Sequence, residues 1–254
     1  MLRLFRKRWT RAAPEPFPVP NHADGVIYAV GDVHGRHDLL ARLLTRIFDD
    51  AAASDITPKI VFLGDYIDRG EQVRETIELL IEMADRPKAE TVFLMGNHEH
   101  MLLRFLRDPA SGSRWLRYGG LQTLMSYGVG GAGSMRADGE ALRIRHALIA
   151  ALGSHLGFIE GLQLSHRAGN LFFAHAGADP SLPTDEQEVA TLLWGCESFG
   201  TTDRDDGVWV VHGHFVVAEP AARRGRIAVD TGAYFSDRLT AARIAGGEVV
   251  FLEG

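Results

Sequence analysis

Three times within the first hundred residues an apolar run stops at a glycine followed by Asp or Asn, and an amphipathic stretch takes over. Val26–Val30 halts at Gly31-Asp32, Ile60–Leu63 at Gly64-Asp65, and Thr91–Met95 at Gly96-Asn97. Short continuous apolar runs of this kind read as strands buried on both faces. After them, Leu39, Leu40, Leu43, Leu44, Ile47 and Phe48, then Val73, Ile77, Leu80 and Ile81, then Met101, Leu102 and Phe105 recur at helical spacing. Strand, polar loop and helix in repetition mean βαβ units, so the chain is expected to be α/β with a largely parallel central sheet. Further strands are expected at 171–174, 208–211 and 226–229. A hairpin is expected from Leu239–Ile244 and Glu248–Leu252 around Gly246-Gly247.

The periphery reads differently. Arg3, Arg6, Lys7, Arg8 and Arg11 put five cations and no acid into the first eleven residues. The net charge of −6 therefore leaves −11 on the remainder, which argues against broad nucleic-acid binding. Leu2, Leu4, Phe5 and Trp9 can form a short interfacial helix that touches a membrane, but a solvated terminus is the plainer reading. Pro14, Pro16, Pro18 and Pro20 then exclude helix. Residues 1–24 are thus a basic tail and Pro-rich linker, and 25–254 a single domain. No apolar run reaches the ~18 residues of a membrane span. With one cysteine, Cys196, no intrachain disulfide is possible and a cytoplasmic setting is expected. Residues 106–166 break the strand–helix pattern and read as a partly helical, cap-like insertion with a helix around Ala141–Leu152. Gly119, Gly120, Gly128, Gly130, Gly131 and Gly133 make its middle a poor candidate for a packed element. Substrate selection and an idle insertion both fit it.

In open α/β sheets ligands bind beyond the carboxyl ends of the strands. Those positions hold Asp32 and His34, Asp65, Asn97 and His98, His175, and His212 and His214. A single Gly-Asp after a strand is usually only a turn, and a lone His is more often a surface residue than a ligand. Five strand ends that all carry oxygen or imidazole donors form a pattern, one that suits Mn²⁺, Fe or Zn²⁺ better than Ca²⁺ or Mg²⁺. No cysteine joins them, so a structural zinc site is not expected.

Gly31-Asp32-Val33-His34-Gly35, Gly64-Asp65-Tyr66-Ile67-Asp68-Arg69-Gly70 and Gly96-Asn97-His98-Glu99 resemble the three signature motifs of PPP-type metallophosphatases, in order and in spacing. His175-Ala176-Gly177 and Gly213-His214 resemble the later metal-binding motifs. The likeness runs from about Val26 to Leu239 and is nearest to the bacterial and phage serine/threonine protein phosphatases, the branch that includes phage lambda phosphatase. The resemblance implies a calcineurin-like β-sandwich flanked by helices, with two divalent cations, Mn²⁺ foremost and Fe or Zn as options. It implies Asp32 and His34 on one cation, Asn97, His175 and His214 on the other, Asp65 on both, and a water between them activated for attack on phosphorus. His98 becomes the general acid, Asp68 its orienting partner, and Arg69 with Asn97 the phosphate contacts. His212 is expected behind the ligands, orienting or shielding them. His37 and Asp38 fit a helix start, and His22, His100, His146, His155 and His166 carry no expected chemistry.

The chain departs from the pattern twice. Relatives often carry a phosphate-binding arginine two residues after the Trp of Leu-Leu-Trp; here Leu192-Leu193-Trp194-Gly195 is followed by Cys196. Either Arg114, Arg117 or Arg204 then substitutes for it or substrate binding is weaker, and Cys196 is either an inert or a redox-sensitive thiol. Where bacterial relatives show His-Thr-Pro, this chain has His214-Phe215-Val216. The leading expectation is a phosphoprotein or phosphopeptide phosphatase, with a diadenosine tetraphosphate hydrolase as the alternative. A nuclease or phosphodiesterase fits less well, because Val216 stands where a second histidine is common in those enzymes. A catalytically dead binding module is disfavoured, because every ligand type is present.

Overall fold

In the computed structural model, which describes residues 17–23, 25–131 and 139–254, the chain alternates strand and helix as far as residue 107. β1 (Ile27–Val30), α1 (His37–Ala53), β2 (Lys59–Phe62), α2 (Val73–Ala84), β3 (Glu90–Phe93) and α3 (Asn97–Arg107) follow the predicted grammar. Helices α4 (Gly112–Trp115) and α5 (Leu121–Ser126), joined by a π-helical turn over Leu116–Gly120, lead to α6 (Glu140–Leu152) and α7 (Ser154–Glu160). The second half contributes β4 (Ser165–Ala168), β5 (Leu171–Ala174), α8 (Val189–Trp194), β6 (Trp209–His212), β7 (Ala221–Arg223), β8 (Arg226–Ala228), α9 (Ala233–Ser236) and the hairpin β9 (Thr240–Ala245) and β10 (Glu248–Glu253). The basic tail, Pro14 and Pro16 lie outside the described residues, as does Gly133. No helix among the described residues is long and apolar enough to cross a membrane.

The strands form two five-stranded sheets, ordered β10-β9-β1-β2-β3 and β4-β5-β6-β8-β7, and not one central sheet. Each contains a parallel trio: β1-β2-β3 runs out to one edge of the first sheet, with antiparallel β9 and β10 on its other side, and β5-β6-β8 fills the middle of the second, with antiparallel β4 and β7 at its margins. A strand buried on both faces needs two apolar partners, and a second sheet serves as well as a second layer of helices. Ile27, Ala29, Val61 and Leu63 turn towards Leu171, Phe173, Val211 and Ile227 of the other sheet, while Tyr28, Val30, Ile60 and Phe62 turn towards the helices. This is the helix-flanked β-sandwich that the resemblance implies. Truncating an inter-sheet ring such as Phe173, fully buried, to Ala costs about 3–5 kcal/mol.

Register positions the site. Val30 pairs with Phe62, and Phe62 with Phe93, so β1, β2 and β3 end level and release their loops at one edge. In the other sheet Phe173 pairs with Val211, and His212 with Ala228, so β5, β6 and β8 also end together. The glycine-containing stretch after α3 is packed, contrary to expectation. Trp115, Leu124, Tyr127, Ile144 and Leu148 are buried in the same core as α1 and α2.

Candidate metal and phosphoryl site

The loops after the parallel strands bring the predicted residues together. Asp32, His34, Asp65, Asp68, Asn97, His98 and His175 are all buried, and His214 is half-buried. Two groups of ligand atoms converge on Asp65: one with His34 and His98, the other with His175 and His214. The Asp65 Oδ2 atom lies 3.5 Å from His34 Nε2, 3.4 Å from His175 Nε2 and 3.8 Å from His98 Nε2. Asn97 Oδ1 lies 2.9 Å from His175 Nε2. Asp32 is adjacent but belongs to neither group; both its oxygens accept from the backbone N–H of His214, at 3.1 and 3.2 Å. Of the eight non-glycine residues with positive φ among the described residues, five belong here: His34, Asp65, Asp68, Arg69 and His214. Such strain persists only where the surroundings over-determine it, and it gathers at functional sites.

Two motif glycines owe their place to space. A Cβ on Gly96 would lie 2.1 Å from Asp65 Oδ1, and one on Gly213 would lie 2.0 Å from Asp32 Oδ1. Any side chain there displaces the carboxylate.

The donor set fits divalent cations. His34 donates Nδ1–H to the Ile67 carbonyl and His175 donates Nδ1–H to the Leu63 carbonyl, both at 2.9 Å, which aims each Nε2 at Asp65. A histidine that ligates a metal is oriented in this way. Burial pushes His34 down to about 3, so at neutral pH its Nε2 lone pair faces an anionic oxygen. Burial also lowers His175, but the Asp65 and Asp32 carboxylates outweigh it and lift the group to about 10. The place thus demands positive charge. Burial opposes ionisation of Asp65, yet the surrounding imidazoles hold it well below the usual carboxylate range. Asp32 moves the other way, raised by burial and by its neighbour Asp230.

A second arrangement stands on the wall. His98 Nδ1 donates to Asp68 Oδ2 at 2.7 Å. Asp68 also accepts from Trp115 Nε1 at 3.1 and 3.0 Å and from Thr123 Oγ1 at 2.6 Å. Burial raises Asp68 even so. For His98 burial acts downwards, but the Asp65 and Asp68 carboxylates raise it on balance. Arg69 Nη2 lies 3.3 Å from His98 Nε2, and the guanidinium covers the Tyr234 ring at 4.6 Å.

Four participants had no role assigned from sequence, Glu99 among them although it closes the third motif. Asp230 is buried beside Asp32 just past β8, where an Asp-x-Gly after an apolar run could have flagged it. Glu99 accepts from the backbone N–H groups of Asp65, Tyr66, Ile67 and Gly96, at 2.9, 2.8, 3.2 and 2.9 Å, and so pins one loop to the other. Burial and the Asp65 charge push it up to about 7. Trp115 and Thr123 carry no sequence signal, because only the fold brings them to Asp68.

The remaining predicted residues separate. His212 packs edge-on against Phe199 and Phe215 and donates Nδ1–H to the Gly213 carbonyl, one residue before His214. Arg204 cannot replace the missing arginine, because it is engaged with Asp206 and with the Asp179 and Leu182 carbonyls. Arg114 stands over Trp194 at 4.9 Å, and Trp194 lies 6.4 Å from the His214 ring. Cys196 is half-buried, 3.3 Å from Ser198 Oγ.

A sequence profile of the calcineurin-like phosphoesterases matches residues 25–218. The chain belongs to this family. A bis(5′-nucleosyl)-tetraphosphatase PrpE [asymmetrical] from Oceanobacillus iheyensis is 28% identical over 239 residues, covering 87% of this chain and 89% of that protein. Among solved structures, a putative diadenosine tetraphosphatase superposes with a TM-score of 0.58 at 20% identity, covering 93% of this chain and 96% of that one. A Saccharomyces cerevisiae protein serine/threonine phosphatase gives 0.55 at 14%, covering 91% and 80%. At these identities the structural likenesses establish the fold alone. The chain is therefore a phosphoester-hydrolysing member of the calcineurin-like family, and no phage-lambda-type branch is singled out.

Proposed function

We propose that the chain is a bis(5′-nucleosyl)-tetraphosphatase that cuts a dinucleoside tetraphosphate asymmetrically into a nucleoside monophosphate and a nucleoside triphosphate. The observation that carries this reading is the near-full-length likeness to the Oceanobacillus tetraphosphatase, which favours the alternative expectation over a phosphoprotein substrate. Neither nucleic acid nor a membrane enters this chemistry, and a lone cysteine suits the cytoplasm.

In this reading Asp32 and His34 would hold one divalent cation, Asn97, His175 and His214 would hold the other, and Asp65 would serve both, with Mn²⁺ preferred over Fe or Zn. When bound, the pair polarises the phosphoryl group and makes water a nucleophile near neutral pH. The two Asp32 oxygens share the single backbone N–H of His214, and each keeps a lone pair for a ligand bond. Arg69 holds phosphoryl oxygens through its planar fork, with Asn97 beside it. Moving Arg69 onto phosphate withdraws a competing donor from His98 Nε2, leaving that atom free to carry a proton to the departing oxygen. Asp68 steadies the resulting charge from the opposite nitrogen.

The dyad favours a second reading, hydrolysis of phosphoserine or phosphothreonine, because an alkoxide leaving group needs that proton far more than a polyphosphate does. Purified protein with Mn²⁺, assayed on diadenosine tetraphosphate and on phosphoserine, phosphothreonine and phosphotyrosine peptides, decides between them. The proposal expects the highest kcat/KM on the dinucleotide and loss of activity with chelator. A phosphopeptide preferred over the dinucleotide would overturn it.

A further inference from the structure

A cavity of about 310 Å³, at the small end of ligand pockets (~300–1,000 Å³), opens beside the metal site. Trp194 forms part of its wall and stands 6.4 Å from the rings of both His214 and Tyr118; Tyr118 is in turn 6.4 Å from His98. His100, Arg104, Arg114 and Arg117 line it, and no carboxylate does. Arg36, Arg204, Arg226, Arg238 and Arg243 each sit on a carboxylate. Arg104, Arg114 and Arg117 have no acidic partner among the described residues: Arg114 rests on the Trp194 ring and Arg117 reaches only the Ser113 carbonyl. Three uncompensated guanidiniums in one cavity of an acidic protein repel one another, and that repulsion is relieved when an anion enters. Planar forks of this kind suit phosphate oxygens.

We propose that this cavity holds the phosphates of the substrate's polyphosphate chain that lie beyond the cleaved group, with Arg114 and Arg117 as the residues that select polyphosphates over simple phosphomonoesters. The inference rests on the tetraphosphatase reading. It assigns a purpose to the arginines once the arginine expected near Trp194 is replaced by Cys196.

The test compares wild type, the double variant Arg114→Ala with Arg117→Ala, the single variant Arg104→Ala, and Arg107→Ala. Arg107 is exposed on the last turn of α3 and does not line the cavity. For each, kcat/KM on diadenosine tetraphosphate is divided by that on p-nitrophenyl phosphate, and inhibition by inorganic tripolyphosphate and by orthophosphate is measured with Mn²⁺ in excess. Two lost charge-assisted bonds should lower the ratio by about ten-fold or more and raise the tripolyphosphate inhibition constant by a similar factor. Arg104→Ala should give a smaller change in the same direction, and Arg107→Ala less than about two-fold. Equal metal content in all variants establishes that they are folded. A double variant whose ratio and tripolyphosphate constant stay within about two-fold of wild type overturns the proposal, as does an equal loss in Arg107→Ala, which marks a general field effect. If wild type does not cleave the dinucleotide, the functional reading fails, and the tripolyphosphate constants alone judge the cavity.

Discussion

On the floor of the site, His34 and His175 turn Nδ1 to backbone carbonyls and Nε2 to Asp65; on its wall, His98 turns Nδ1 to the Asp68 carboxylate. All three are buried imidazoles at the ends of parallel strands. A carbonyl partner fixes a tautomer without adding charge and leaves the far nitrogen as a ligand. A carboxylate partner also favours the protonated ring and suits it to acid chemistry. The two aspartates differ in parallel. Asp65 is held ionised by imidazoles, whereas Asp68 is hydrogen-bonded by Trp115 and Thr123 and still raised by burial. Residue type does not decide the role of a histidine here; what stands behind its ring does.

That distinction breaks first at Asp65. Asp65→Asn removes charge from both ligand groups, so metal content by elemental analysis should collapse and turnover should fall on the order of 10³-fold or more, the equivalent of several kcal/mol of charge stabilisation. Retained metal and activity would remove the floor from the account. His98→Asn should keep the metal yet slow a phosphoserine peptide by about 10²–10⁴-fold. The loss should be smaller on p-nitrophenyl phosphate and on diadenosine tetraphosphate, whose leaving groups need little protonation. Asp68→Asn should cost about 10–100-fold, the usual range for a partner behind the reacting group. It also tests the sign. As acid, His98 must be protonated, so activity on the peptide falls as pH rises through its pKa. Asp68 helps to raise that pKa, so its removal should move the alkaline limb of the pH–rate profile to lower pH. Trp115→Phe, the mildest, withdraws one donor from a buried carboxylate and should destabilise the fold by about 1–3 kcal/mol. An unchanged pH profile in Asp68→Asn would separate Asp68 from His98.

Floor and wall were not equally legible in the sequence. Asp32, Asp65, Asn97 and His98 announce themselves because each ends an apolar run at a glycine, and the glycines of the later motifs are dictated by the carboxylates against them. Asp68 and Arg69 lie in the same motif, but nothing in sequence spacing brings Trp115 and Thr123, roughly fifty residues on, to that carboxylate. The glycines around them look like loop, and only the packing of Trp115 under α3 shows otherwise. The strand–helix pattern alone led only to a central, largely parallel sheet, and the resemblance supplied the sandwich, because a strand apolar on both faces does not say whether helix or sheet covers the second one. β4 and β7 went unread because they are edge strands with polar faces, Ser165-His166-Arg167-Ala168 and Ala221-Ala222-Arg223, and lack the apolar run that marks the others.

The central claim is that the buried charge around Asp65 is arranged to hold two cations. Anomalous scattering from crystals grown with Mn²⁺ tests it most directly. The account predicts two manganese peaks flanking the Asp65 carboxylate, one within reach of His34 Nε2 and the other of His175 Nε2 and His214. No peak beside Asp65, or manganese bound only elsewhere on the protein, would contradict it.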